Sequence, residues 1–191
     1  MKSMPKRFMN TLEGKKMRII SGKHGGRVLK TFEGTFIRPT SDRAKQALFN
    51  IFQLKIMGAN FYDGFCGSGS VGIEALSRGA KVVFTDKSPE SIKLTKANLK
   101  LINEDAEVYL QDCVSYLSKT TKKFDIIFLD PPYMLEDGVK ALEMIDKRGL
   151  LASGGFVILE KDKVVNLQFE NLLFDSSRKY GKAYFNIYRV K

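Results

Sequence analysis

The chain has 191 residues, 43% of them hydrophobic and 28% charged, which suits one globular domain that buries a core without disulfides or a structural metal. Thirty-two Lys and Arg oppose 21 acids, a formal charge of +11, and a field of that sign favours polyanions such as nucleic acid. A single histidine, His24, and two distant cysteines, Cys66 and Cys113, exclude an HExxH metal site, a zinc spacing and a redox pair, and leave no histidine base outside a Gly-rich basic stretch. No metal ligand set is expected.

Residues 1–16 read as a basic leader, expected to be disordered, with a short transit peptide as the other reading. Nine Lys and Arg precede position 31, opposed only by Glu13. No apolar run reaches the ~18 residues of a membrane span, and no apolar face is interleaved with these charges, so no membrane partner is expected. Unpaired cysteines fit a cytoplasmic home.

Residues 17–37 begin "MRIISGKHGGRVLKTF", where apolar pairs flank "GKHGG". This predicts a small N-terminal β-hairpin extension with a mobile basic tip. Lys23, His24 and Arg27 on that tip, with Arg38 and Arg43 beyond it, are the candidates for contact with an RNA backbone; a solvated basic surface is the plainer alternative. In "RPTSDRAKQALFNIF", Thr40 or Ser41 can cap a helix with Asp42 in its first turn. Ala44, Ala47, Leu48, Ile51 and Phe52 share one face. Arg38, Arg43 and Lys45 lie near the helix start, where they could meet a phosphate or a cofactor carboxylate.

From residue 60 the pattern becomes regular alternation. "NFYDGFC", "AKVVFTD", "AEVYLQD", "FDIIFLD" and "GGFVILEKD" read as strands, separated by four helical segments. Such alternation predicts an α/β fold with a mostly parallel sheet covered on both faces. The ending, "LLFDSSRKYGKAYFNIYRV", reads as a C-terminal antiparallel hairpin, which brings the sheet to seven strands.

In such open sheets, ligands sit beyond the carboxyl ends of the strands. Four successive strands end at Asp63, Asp86, Asp112 and Asp130. Each alone is as readily a helix N-cap as a ligand group; the set of four points to a site. "DGFCGSGSVG" satisfies GxGxxG, so a dinucleotide is one reading and a tight turn alone is another. Asp63 argues for a different ligand. An anion before the glycines would repel a pyrophosphate but suits a cofactor bearing an ammonium and a sulfonium, S-adenosylmethionine. Asp86, followed by Lys87, can accept both ribose hydroxyls, and Asp112 can accept from the adenine amino group. Phe65, Cys66 and Cys113 would supply apolar walls, and Gly64, Gly67 and Gly69 would let the backbone approach.

The fourth strand runs into "DPPY". Pro131 and Pro132 end the strand and stiffen the loop. Asp130 and the Pro131 carbonyl are acceptors only, and Tyr133 adds a flat face. Fixed acceptors beside an aromatic ring suit a planar base carrying an exocyclic amine.

The runs "MRIISGKHGGRVLK", "RPTSDRAKQALFNI", "DGFCGSGSVGIEALSRGA" and "FLDPPY" resemble, in that order, those of the bacterial small-subunit (16S) rRNA (guanine-N2) methyltransferases. The resemblance covers Met17 to the end. It implies a Rossmann-like class I methyltransferase domain over residues 38–191 and S-adenosylmethionine as the donor. It further implies one guanine N2 amine in small-subunit rRNA as acceptor, within an assembling particle that includes ribosomal proteins. A monomer is expected. Cys66 stands where that family often has alanine. A DNA amino-methyltransferase shares the acceptor loop but needs a target-recognition region for which 191 residues leave no room. A non-catalytic RNA-binding module on the same scaffold is the other alternative.

Overall fold

The computed structural model describes residues 17–32, 42–132 and 136–191. The β-rich runs identified above form β1 (Asn60–Asp63), β2 (Lys81–Asp86), β3 (Glu107–Leu110), β4 (Phe124–Leu129), β5 (Leu151–Lys161), β6 (Leu172–Tyr180) and β7 (Ala183–Val190). The helices are α1 (Asp42–Ile51), α2 (Ser70–Ser77), α3 (Pro89–Ile102), α4 (Cys113–Leu117) and α5 (Asp137–Arg148). The strands make one sheet in the order β3-β2-β1-β4-β5-β7-β6. The β1–β5 pairings are parallel, and β7 runs antiparallel to both β5 and β6. The expected seven-stranded α/β sheet with a C-terminal antiparallel hairpin is therefore present.

Strand order reverses where β4 lies beside β1, so a crevice opens beyond their carboxyl ends. Asp63 is level with Phe128 of β4, which places Asp130 two residues further toward that crevice. One core, containing Leu48, Phe49, Ile73, Phe84 and Leu99, fills one face of the sheet; a second, containing Tyr62, Leu117, Leu142 and Tyr188, fills the other. Burial on both faces explains why β1 and β4 read as continuous apolar runs. Local signals set the helix ends. Ser88 caps α3 through Ser91 N–H with Pro89 in its first turn, and Gly149 closes α5 in the left-handed region.

The N-terminal segment departs from the expected mobile hairpin. Its arms meet in one antiparallel bridge, Arg18 to Val28, and Ile19 and Leu29 enter the core. The tip is pinned. Lys23 N–H donates to the Ser77 carbonyl at 2.7 Å, and His24 N–H donates to Ser77 Oγ at 3.0 Å. Glu74, fully buried in α2, accepts from Ile20 N–H at 2.7 Å and Ser21 N–H at 3.0 Å. The segment thus supplies the donors that a buried carboxylate requires.

The same carboxylate explains a second departure. Lys45, expected to face a phosphate or a cofactor, is 1% exposed; its Nζ donates to the Arg18 carbonyl at 2.7 Å and lies 3.8 Å from Glu74. Burial lowers its pKa, and Glu74 opposes that shift. Ala44 and Leu48 of α1 and Phe52 just after it are buried as expected, but Phe49 joins them in place of Ala47 and Ile51, which are half-buried. The leader 1–16, Arg38, Thr40, Ser41 and Tyr133 lie outside the described residues.

Candidate functional site

Asp63 closes β1 at 2% exposure, and its Oδ2 accepts the Gly72 N–H in the first turn of α2 at 2.9 Å. Burial, with a smaller contribution from Asp86, raises its carboxyl pKa to about 7 despite that hydrogen bond. The loop between them turns through Gly67 (φ 53°) and Gly69 (φ 78°), left-handed conformations that favour glycine. A Cβ on Gly67 would project into open space, so a ligand can reach that backbone. Gly64 has a different reason to be glycine: a Cβ there would lie 2.8 Å from Cys113 Sγ and 2.9 Å from Leu129 Cδ2. At Gly69 the crowding comes from Thr95.

Asp86 ends β2 and ties it to the glycine loop. Its Oδ2 accepts Gly67 N–H at 2.9 Å, and its Oδ1 accepts Ser88 N–H at 2.8 Å. Each oxygen keeps a further lone pair for a ligand. Lys87 beside it is exposed and lies 3.6 Å from Asp137 at the start of α5. Asp112 caps α4, accepting Ser115 N–H at 2.9 Å. Of the four strand-end acids it shows a conventional capping duty most plainly.

The walls are apolar but mostly interior. Cys66 packs in one core with its Sγ 3.5 Å from Thr95 Oγ1, and Cys113 packs in the other, receiving the Tyr62 hydroxyl at 3.4 Å. Burial raises both thiols well above their usual range, so neither is a thiolate nucleophile. Phe65 is half-buried against the second core.

Asp130 follows β4 and is partly buried. Desolvation, then the nearby Glu160 and Asp63 carboxylates, push its pKa well above the usual range, while Lys161 opposes them. Pro131 is buried and Pro132 exposed. Sequence reasoning missed the brace behind them: at Gly138, in the first turn of α5, a Cβ would lie 2.8 Å from Pro131 Cγ and 2.6 Å from Leu159 Cδ1. A glycine one turn after "DPPY" was the available signal. The close contact packs the start of α5 directly against the proline that follows Asp130.

Of the residues proposed for RNA contact, Arg27 and Arg43 are exposed. Lys23 is 72% exposed and pairs with Glu104 at 2.7 Å. His24 is 8% exposed, with Nε2 2.8 Å from the same Glu104 oxygen, so it anchors the tip rather than facing solvent.

The donor set suits a cationic cofactor. Two carboxylates, Asp63 and Asp130, border one crevice and each resists ionisation. A nearby positive charge relieves that resistance; a pyrophosphate would worsen it.

The family described as "Conserved hypothetical protein 95" matches residues 17–189. The chain belongs to this family. A relative from Bacillus subtilis, named "Putative rRNA methyltransferase YlbH", is 38% identical over 92% of this chain and the whole of its own length. "Ribosomal RNA small subunit methyltransferase D" of Haemophilus influenzae is 36% identical over 77% of this chain and 79% of its own. Among solved structures, "Putative methyltransferase yhhF from Escherichia coli" superposes with a TM-score of 0.81 at 27% identity, covering 93% of this chain and 99% of that one. The fold of this family member is that of the class I methyltransferases. The resemblance drawn from the sequence runs is borne out at the level of the family.

Proposed function

We propose that this protein transfers a methyl group from S-adenosylmethionine to the exocyclic N2 amine of a guanine in small-subunit ribosomal RNA. The observation that carries the reading is the braced acceptor pair, Asp130 and the Pro131 carbonyl, at the crevice that Asp63 and Asp86 border. Family membership and the names of the relatives support the enzyme class and the rRNA substrate.

When bound, S-adenosylmethionine supplies an electrophilic methyl on a sulfonium. Asp63 faces its cationic portion. Asp86 offers acceptors to the ribose hydroxyls beside the open backbone at Gly67, and Lys87 and Asp112 border the base. Asp130 and the Pro131 carbonyl accept the N–H groups of the substrate amine. That aims its otherwise delocalised lone pair at the methyl and stabilises the positive charge growing on nitrogen. After transfer the cationic nitrogen is strongly acidic and passes its proton to solvent, so no histidine base is required. Pro132 holds the loop, and Tyr133 stacks on the base, a contact worth roughly 1–3 kcal/mol. The base must be unpaired or extruded to enter. Lys23, Arg27, Arg38 and Arg43 contact the RNA backbone, with His24 orienting the tip.

The protein works as a cytoplasmic monomer on an assembling particle that contains ribosomal proteins. Residues 17–37 serve as an RNA-facing extension of the methyltransferase domain 38–191, behind a leader at 1–16. The test is transfer of labelled methyl from S-adenosylmethionine to small-subunit particles, followed by mass mapping of the modified nucleotide. Label on guanine N2 is expected; label on adenine, on cytosine or on DNA sinks the substrate assignment.

A further inference from the structure

The outer face of α3 carries Lys93, Lys96 and Lys100, all exposed, at the i, i+3, i+7 spacing that keeps side chains in one stripe. At 1.5 Å per residue the stripe runs about 10 Å. No acid lies between Ser91 and Asn103. Among the described residues, none of the three lysines has a carboxylate within ion-pair distance. The acids at the two ends are Glu90 in the first turn and Glu104 and Asp105 past the last. Glu104 is already held by Lys23 and His24.

The molecule contains its own comparison. Helix α5 presents Lys140, Glu143 and Lys147 to solvent at the same spacing, with Asp137 one turn earlier. Such mixing of signs is what a merely solvated helix face shows, because neighbouring opposite charges stabilise it. The α3 face lacks it, and like charges one turn apart cost stability rather than add it. A cleft bordered by Lys96, Lys100 and Asn103 lies beside the stripe, with Glu104 and Asp105 at its far end past the last turn of α3. Helix α3 begins at Pro89, three residues after Asp86, so its first turn lies at the rim of the crevice and the stripe runs away from it. From β2 to β4 is two strand spacings, about 10 Å.

We propose that this face of α3 is a docking surface for the sugar-phosphate backbone of the RNA that flanks the target nucleotide, an inference that rests on the RNA reading above. Lys93, Lys96 and Lys100 each neutralise a phosphate, and Lys23 at the end of the stripe extends the track toward the N-terminal tip. The surface carries no base selectivity; it sets register while the crevice reads the base.

The experiment measures affinity for a labelled small-subunit rRNA transcript as salt rises. The variant is Lys93→Gln/Lys96→Gln/Lys100→Gln; the control is Lys140→Gln/Lys147→Gln. Each lost phosphate contact flattens the log–log salt slope by about 0.7–0.9. The triple variant is expected to lose about 2–3 from the slope while its affinity for S-adenosylmethionine is unchanged, and the control is expected to match wild type. A triple variant with the wild-type slope overturns the inference, as does a control that loses as much. Failure of the functional reading looks different: wild-type protein would transfer no methyl to RNA at any salt.

Discussion

The Asp63 carboxylate accepts the Gly72 N–H at 2.9 Å, yet its pKa still stands at about 7. One hydrogen bond to a helix start does not repay the loss of water around a buried anion. A cation in the crevice would. Binding of S-adenosylmethionine should therefore release a proton near pH 7, and affinity should rise as pH increases from about 6 to 8. Titration calorimetry in buffers of different ionisation heat measures that release. Asp63→Asn, which keeps an oxygen for Gly72 N–H, should bind weakly with no proton release. An unchanged pH profile in that variant would remove Asp63 from the cofactor site.

The same carboxyl sets a stability trend for the ligand-free protein. Its folded pKa, about 7, lies above the ordinary 3.8, so the folded state holds the proton more tightly than the unfolded chain does. Its contribution is fully present below pH 4 and declines as pH rises toward 7, by about 4 kcal/mol at most. Urea unfolding at pH 5 and pH 8 should show wild type losing stability relative to Asp63→Asn across that interval. A parallel pair of curves contradicts the assignment.

Glu74 is the second buried acid with a clear consequence. It receives Ile20 N–H, Ser21 N–H and Arg78 Nε, with Lys45 3.8 Å away. Removing it leaves the buried Lys45 ammonium without its carboxylate and two part-buried backbone donors without an acceptor. Glu74→Ala should cost about 3–5 kcal/mol in urea unfolding. It should also expose the 17–30 segment to proteolysis before the rest of the domain. Replacing Lys45 and Glu74 together by apolar residues of similar size should recover much of the loss.

Gly138→Ala tests the brace behind the acceptor loop. The new methyl would press on Pro131 and Leu159 at under 3 Å. Relief requires either α5 or the loop to shift, at about 1–3 kcal/mol. Turnover should fall more than tenfold while affinity for S-adenosylmethionine holds, because Asp63 and Asp86 stand on other elements. Equal losses in both would mean that the crevice deforms as a whole.

Much of the fold was legible because β1, β2 and β4 are buried on both faces and helix ends carry local punctuation, as at Ser88-Pro89 and Gly149. The strand-end acids were legible for the same reason, since strand ends follow from the alternation. What could not be read was anything set by contacts distant in sequence. Lys45 looked like a surface cation until Glu74, 29 residues away, turned it inward. His24 looked like a loop-tip side chain until Glu104, 80 residues away, captured it. Gly64 looked like part of a ligand cradle, but Cys113 fills the space its missing Cβ leaves. Gly138, close after "DPPY" in sequence, hinted at a close approach but did not say that its neighbours are Pro131 and Leu159.

Asp130 carries the sharpest expectation. Its pKa is raised by burial and by Glu160 and Asp63, so the ionised acceptor becomes populated only as pH rises or as positive charge enters the crevice. At saturating S-adenosylmethionine the rate should therefore climb along an acid limb. Asp130→Ala removes the acceptor and should lower turnover by about 10²–10³ with cofactor affinity largely intact. Asp130→Asn retains a carbonyl oxygen toward the substrate amine but cannot titrate. It should keep more activity than the alanine variant and lose the acid limb. Single-turnover methyl transfer across pH separates these outcomes. An alanine variant near the wild-type rate, or an asparagine variant that keeps the limb, would show that the amine is held by something other than this carboxylate.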